Sequence, residues 1–504
     1  MRFNFLRGAQ NETLNYEGAK AYTLTPQLEL YTAVATAALS DNFYEKAGAQ
    51  LERIKQLIAK NDALFIAKLA VYAREQMYLR SVPLALTVEL AKQHNGDGLV
   101  AALTERVIQR ADEITELLSY YALSNARTNI KQLNKLSKQL QKGLAAAFNK
   151  FDEYQFAKYN RDANVKLKDA LFIVHPKAKD EAQQALFNKI VNDELQTPYT
   201  WETELSALGQ QMFDTAELKH LAVTTKWEEL IGSNKLGYMA LLRNLRNILE
   251  AEVSNDMLNK ACSYLANNKA VANSKQLPFR FLAAYRELVA LQNGRVSKVL
   301  DALEKAVLQS AANIQGFDDN TRVVIAADMS GSMQVPVSAK STMQRYEVGL
   351  ILAIMLQSSC ANVTTGIFGQ TYKTIQLPHS NILSNTSQLA KMIGEVGHST
   401  NGYLVIADLL KRRQVVDKVM LFTDMQLWND SSSTSIADLW KQYKKLAPQA
   451  KIYLFDLAGY GNTPLNVLKD DVYLISGWSD KIFNVLSAVE NGGNALQVIE
   501  AIKL

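Results

Sequence analysis

Asp328-Met329-Ser330-Gly331-Ser332 spaces one carboxylate and two hydroxyls at alternate positions, so a tight loop can turn all three oxygens toward one centre. Asp424 offers a second carboxylate, and Thr400, within Gly397-His398-Ser399-Thr400-Asn401-Gly402, a third hydroxyl. An all-oxygen set suits a hard divalent cation such as Mg²⁺, which takes an octahedron of oxygens and keeps some waters. The plainer reading of the same residues is a turn whose serines cap the next helix.

A second group is basic. Lys131, Lys135, Lys138 and Lys142 fall at i, i+4, i+7 and i+11, which on a helix lines four ammonium groups along one face. Lys158, Arg161, Lys166 and Lys168 extend the group. From Arg127 to Asp180 twelve basic residues stand against five acidic ones, a local balance of +7 in a chain whose total is +5. Such a stripe binds nucleic-acid backbones by counterion release, with steep salt dependence and little sequence preference. A merely solvated lysine face is the alternative. Tyr154, Phe156 and Tyr159 either stack on unpaired bases or fill a core.

Catalysis finds less support. The histidines (His94, His175, His220, His379 and His398) are dispersed, with no pair at the spacing of a zinc helix, and no G-x-S-x-G nucleophile elbow occurs. A metal-dependent phosphoesterase needs an activated water with a base or second metal, and only His398 lies near the oxygen set.

These residues must be positioned by two kinds of architecture. At 504 residues the chain is long enough for two to four domains, and 48% hydrophobic with 21% charged residues is a globular balance. Residues 1–317 hold eleven of the 23 glycines and the remaining 187 residues hold twelve, which sets a boundary near Gly316. The first part, 1–317, reads as successive amphipathic helices with few strand signals, at 26–39, 42–60, 63–78, 82–92, 97–110 and 114–124, an α-solenoid of HEAT-like helix pairs. The second part, 318–504, alternates apolar runs at 321–328, 362–369, 417–424, 451–456 and 471–477 with helices at 344–358, 387–393, 404–413, 436–445 and 481–490. That is the pattern of an α/β doubly wound parallel sheet, whose ligands sit beyond the carboxyl ends of the strands. Asp328 and Asp424 fall at two such ends.

Cys262 and Cys360 form neither a disulfide framework nor a C-x-x-C motif. No apolar stretch near Met1 has signal-peptide character, and the aliphatic run at 348–356 is far short of the ~20 residues of a membrane helix. The expectation is a cytoplasmic protein without membrane attachment.

Asp328, Ser330, Ser332, Thr400 and Asp424, in this order and on this strand pattern, resemble the metal-ion-dependent adhesion site of a von Willebrand factor A domain. The resemblance implies a cation with one position left for a partner's carboxylate, hence ligand binding rather than turnover. Asn15-Tyr16-Glu17-Gly18-Ala19, Asp41-Asn42-Phe43-Tyr44, Arg80-Ser81-Val82-Pro83, Lys158-Tyr159, Lys168-Asp169 and Leu241-Leu242-Arg243-Asn244-Leu245 together resemble the Ro autoantigen family of TROVE-domain proteins.

This second resemblance implies helical repeats closed into a ring, a non-catalytic RNA-binding function in RNA quality control, and a monomeric ribonucleoprotein without DNA binding. It implies a structured Y-type RNA on the outer basic surface, single-stranded 3′ ends of defective RNA in the central hole, and polynucleotide phosphorylase or another exoribonuclease as partner. One departure stands out: the family commonly has histidine before the Lys-Asp pair, and here that residue is Leu167. Arg243 and Arg246 fit either an RNA-binding or a structural role. The rival reading is a protein-interaction scaffold that uses a Mg²⁺-dependent adhesion site.

Overall fold

The computed structural model describes residues 10–37, 48–127, 136–160, 164–311, 314, 317–338, 341–429, 433–469 and 471–504. Two compact units form. One comprises Met1–Ile54, Tyr238–Glu250 and Leu258–Val498; the other comprises Lys55–Gly237, Ala251–Met257 and Ile499–Leu504. The units cut the chain differently from the division at 317/318, because the N-terminal segment and the helices from Leu258 onward group with the sheet.

The unit built around residues 55–237 is helical. Its early helices, Ala63–Glu75, Ser81–Gln93, Leu99–Val107 and Asp112–Ser124, lie where the apolar spacing places them, with no end moved by more than three residues. Asp62 starts the first by accepting from Phe65 N at 2.8 Å, a side-chain cap for an otherwise orphaned amide. Glu113, fully buried, holds the Arg74 guanidinium at 2.7 and 3.0 Å and also accepts from the Gln109 and Arg110 amides. Arg80 adds bonds to Asp112, Glu113 and Glu116. The Arg80-Ser81 motif therefore ties the Asp112 helix to its neighbours.

The other unit holds a six-stranded sheet. Strands β3 (Arg322–Asp328), β4 (Asn362–Phe368), β5 (Tyr372–Ile375), β6 (Lys418–Thr423), β7 (Lys451–Asp456) and β9 (Val472–Ser476) are ordered β5-β4-β3-β6-β7-β9. All pairs are parallel except β4–β5, so the sheet is mixed, with one antiparallel edge. The Arg345–Gln357 helix is buried at every position, as expected of a segment apolar all round.

A second sheet joins distant parts of the chain: β1 (Glu12–Leu14) and β2 (Lys20–Thr23) form a hairpin, and β2 pairs antiparallel with β8 (Asn462–Thr463). Strands β1 and β2, three and four residues long, lie within a first part that is otherwise helical among the described residues, as its few strand signals imply. They are too short and polar to stand out as buried runs. The helix expected at 387–393 lies instead at Ile382–Ala390, displaced because buried Asn385 and Thr386 disguise its apolar face. Asn385 Nδ2 donates to Pro378 O and Ser380 O, and Thr386 Oγ1 to Ile382 O.

Candidate cation site and RNA-binding surface

The parallel register sets Asp328 beside Phe368 and Ala327 beside Phe422, which brings the ends of β3, β4 and β6 together where the strand order reverses. Such switch points are where open α/β sheets bind ligands. Asp328 Oδ1 accepts from Ser330 N at 2.9 Å and Oδ2 from Thr423 Oγ1 at 2.6 Å. The Ser330 and Ser332 hydroxyls lie 3.3 Å apart, and Gly331 N donates to His398 O at 2.9 Å, fastening the D-x-S-x-S turn to the loop that carries Thr400.

That loop is held in turn by Asn401 N donating to Gly369 O and Trp428 N to Thr400 O, each at 2.9 Å. A Cβ at Gly402 would meet a Leu427 methyl at 2.8 Å, so a larger residue there would force Leu427 to move. Asp328, Ser330, Ser332, Thr400 and Asp424 are each at most 3% exposed. The fold therefore brings Asp328, Ser330, Ser332 and Asp424 together at the ends of β3 and β6, and it fastens the loop that carries buried Thr400 to the same turn.

The electrostatics are unfavourable for two bare carboxylates. Burial, reinforced by the charge of Asp424, pushes Asp328 up to about 7, against the hydrogen bonds from Thr423 and Ser330. Burial also raises Asp424, opposed by Ser332, by the Arg345 charge and by the Gln426 amide, which donates to Asp424 Oδ1 at 3.0 Å. Asp424 Oδ2 is buried with no hydrogen-bond partner. An orphaned carboxylate oxygen among hydroxyls is what a small hard cation satisfies, so the residues present fit a divalent ion. Among the described residues no group of three or more His, Cys, Asp or Glu forms a metal cluster; this set instead combines two carboxylates with hydroxyls. His398, exposed, holds the turn with its carbonyl while its Nδ1 meets Gln334 Nε2 at 3.2 Å.

Sequence reasoning missed Gln426 and Met425. Gln426 is fully buried and links the site to Asn462, and Met425 has φ +70° between Asp424 and Gln426. A methionine in the left-handed region is uncommon and costs energy, a feature concentrated at functional sites. No sequence signal announces it.

The basic group is arranged differently from the expected single stripe. The Lys138–Phe148 helix starts at Lys138, because Ser137 adopts φ −52° and ψ 131° and breaks helical backbone before it. Lys138 and Lys142 share this helix, whereas Lys131, Lys135 and Arg161 lie outside the described residues. A four-lysine face on one continuous helix is therefore not formed.

Lys138, Lys142, Lys158 and Lys166 are exposed; Lys168 is half-buried and paired with Asp193 at 2.9 Å. Gln141 Nε2 donates to Val174 O at 3.2 Å and Phe148 stacks with Phe156 at 6.0 Å, packing together the helices Lys138–Phe148, Glu153–Tyr159 and Leu167–Val174. Phe156 is core. Tyr154 is 43% exposed with Lys158 Nζ 5.5 Å from its ring centre, and Arg110 lies 4.2 Å over Tyr159. Leu167, the residue that departs from the family pattern, is buried at the start of its helix. Arg246 is engaged in ion pairs with Glu250 and Glu287, and Arg243 lies near enough to Arg280 for its charge to oppose that of Arg280.

A helical region joined to an α/β domain with a D-x-S-x-S turn at the end of its central strand defines a Ro-like class of protein. The TROVE domain signature matches residues 9–197 and 192–318, and the Ro60 vWA domain signature matches residues 322–488. The chain belongs to the TROVE family of RNA-binding proteins. It is similar to telomerase protein component 1 of Rattus norvegicus, 40% identical over 98 residues, 19% of this chain and 3% of the relative. It is similar also to telomerase protein component 1 of Mus musculus, 34% identical over 128 residues, 25% of this chain and 4% of that protein. The chain thus spans a few per cent of the length of these curated relatives. The crystal structure of the Deinococcus radiodurans Ro (RSR) protein shares the fold, with TM-score 0.57 and 17% identity over 93% of this chain and all of that one.

Proposed function

We propose that the protein is a non-catalytic, Ro-like RNA-binding protein of RNA quality control. In this reading it holds a small structured Y-type RNA and receives single-stranded 3′ ends of defective RNA, in company with an exoribonuclease such as polynucleotide phosphorylase. It works in the cytoplasm as a monomeric ribonucleoprotein, with residues 1–317 for RNA and 318–504 for the A-type domain. The match of the TROVE signature to the region that carries the lysines is the observation behind this reading. Exposed ammonium groups on packed helices supply backbone attraction, and Tyr154 supplies an exposed ring for base stacking. Buried Leu167 offers no phosphate donor, so Lys166 and Lys168 beside it carry that part of the surface.

The test is crosslinking in native cells followed by sequencing of the bound RNA. One abundant structured small RNA together with fragments bearing ragged 3′ ends is expected. Recovery of no RNA above background would reject the reading.

The orphaned Asp424 oxygen favours an added role for the A-type domain. Asp328, Ser330, Ser332, Thr400 and Asp424 would hold Mg²⁺, which supplies a Lewis-acidic centre that binds carboxylate. Asp424 and Asp328 provide the charge, Ser330, Ser332 and Thr400 complete the oxygen set, and Thr423 orients Asp328. Failure of a chelator to change any partner's binding would rule out the scaffold function.

A further inference from the structure

The segment Asp424-Met425-Gln426-Leu427-Trp428 leaves β6 and carries one of the two carboxylates of the site. Met425 holds φ +70° there, and a methionine stays in the left-handed region only where its surroundings leave the backbone no other course. Restraints reach the segment from distant parts of the chain. Trp428 N donates to Thr400 O at 2.9 Å. From the turn between β1 and β2, Asn15 Nδ2 donates to Leu427 O at 2.7 Å and Tyr16 N to Gln426 Oε1 at 2.9 Å. Asn15, 7% exposed, also keeps that turn in shape, its Oδ1 accepting from Glu17 N at 3.1 Å and Ala19 N at 2.9 Å.

Gln426 is fully buried. A backbone amide only donates, so Tyr16 N fixes the side-chain oxygen toward the hairpin and turns Nε2 to Asn462 Oδ1 at 3.1 Å and Asp424 O at 3.4 Å. Asn462 belongs to β8, which pairs with β2 through Thr23. The hairpin therefore grips Gln426 twice, at its tip through Tyr16 and along β2 through β8. On its other side, the backbone amide of Gln426 donates to Asp424 Oδ1 at 3.0 Å. That bond leaves Asp424 Oδ2 as the oxygen without a partner, so the placement of the Gln426 amide decides where the free oxygen stands.

We propose that Gln426 is a positioning residue that transmits docking of the N-terminal hairpin to Asp424, so that the hairpin sets the affinity of the cation site. The inference rests on the cation reading above and adds a regulator to it. Whatever lifts the hairpin weakens the site, and by reciprocity a bound cation holds the hairpin down by the same factor.

Mn²⁺ titration of the full chain read by electron paramagnetic resonance, together with hydrogen exchange of Glu12–Thr23 in saturating Mg²⁺ and in chelator, tests it on wild type, Q426M and D328A. Methionine matches glutamine in length and keeps the backbone amide on Asp424, while the side-chain bonds to Tyr16, Asn462 and Asp424 O are lost. Q426M should bind Mn²⁺ at least about tenfold more weakly, the lower end of what losing an outer partner of a metal ligand costs. In wild type, Mg²⁺ should slow exchange at the hairpin tip by a similar factor; in D328A it should not. A glutamine that merely packs would not make hairpin exchange depend on Mg²⁺, and this readout needs no Gln426 variant. Affinity of Q426M within about twofold of wild type, or wild-type tip exchange that is the same in Mg²⁺ and in chelator, overturns the coupling while leaving the cation site standing. Wild-type Mn²⁺ binding no tighter than that of D328A overturns the cation reading and the coupling with it.

Discussion

Asp456 ends β7 much as Asp328 ends β3, and burial pushes it from 3.8 up to about 6 against hydrogen bonds from the Ala458 and Gly459 amides. A carboxyl raised in the fold holds its proton more tightly folded than unfolded. Its contribution is therefore fully present below about pH 4 and is lost as pH rises to about 6. In chelator, Asp456→Asn should remove that decline, a difference on the order of 2–3 kcal/mol between pH 4 and 7 in urea unfolding. Identical pH profiles for the two proteins would contradict it. At this scale the clustering of Asp328, Ser330, Ser332 and Asp424 was legible, because D-x-S-x-S at a strand end constrains its own geometry. Gln426 was not, since only the folded backbone brings Tyr16 and Gln426, 410 residues apart, together.

Elements were legible where burial demands an apolar run. Strands β3, β4, β6, β7 and β9 announce themselves because each is covered on both faces, whereas β5 at the sheet edge and the short β1, β2 and β8 carry no such signature. The lysine periodicity predicted a longer helix than exists, since charge spacing carries no information about where Ser137 opens the backbone. In the helical unit the Arg74–Glu113 pair joins two helices out of reach of water. Glu113→Ala leaves the Arg74 guanidinium buried without its carboxylate and should cost roughly 3–5 kcal/mol, read as a lower urea midpoint at unchanged slope. A loss below about 1 kcal/mol, the scale of an exposed pair, would show that the guanidinium finds water.

At the scale of the whole molecule, the lysines and the cation cluster belong to different compact units, so their effects should be separable. Reversing Lys138, Lys142, Lys158 and Lys166 to glutamate should weaken RNA binding. It should also flatten the salt dependence by about 0.7 in logarithmic slope for each single-strand phosphate that is no longer neutralised. An unchanged slope in filter binding would remove these lysines from the RNA surface. Asp328→Ala should abolish Mn²⁺ binding while RNA affinity stays within about twofold, as expected of independent sites with no shared partners.

The pairing of Tyr22 with Thr463 and Thr23 with Asn462 also orders events during synthesis. At about 5–20 residues per second the ribosome delivers β8 roughly 20–90 seconds after β2. Over that interval the nascent chain carries an N-terminal ribbon whose outer edge has no partner, and such an edge is open to pairing with other chains. A chaperone that shields β1 and β2 until β8 emerges should therefore raise the yield of native molecules more than one acting after release.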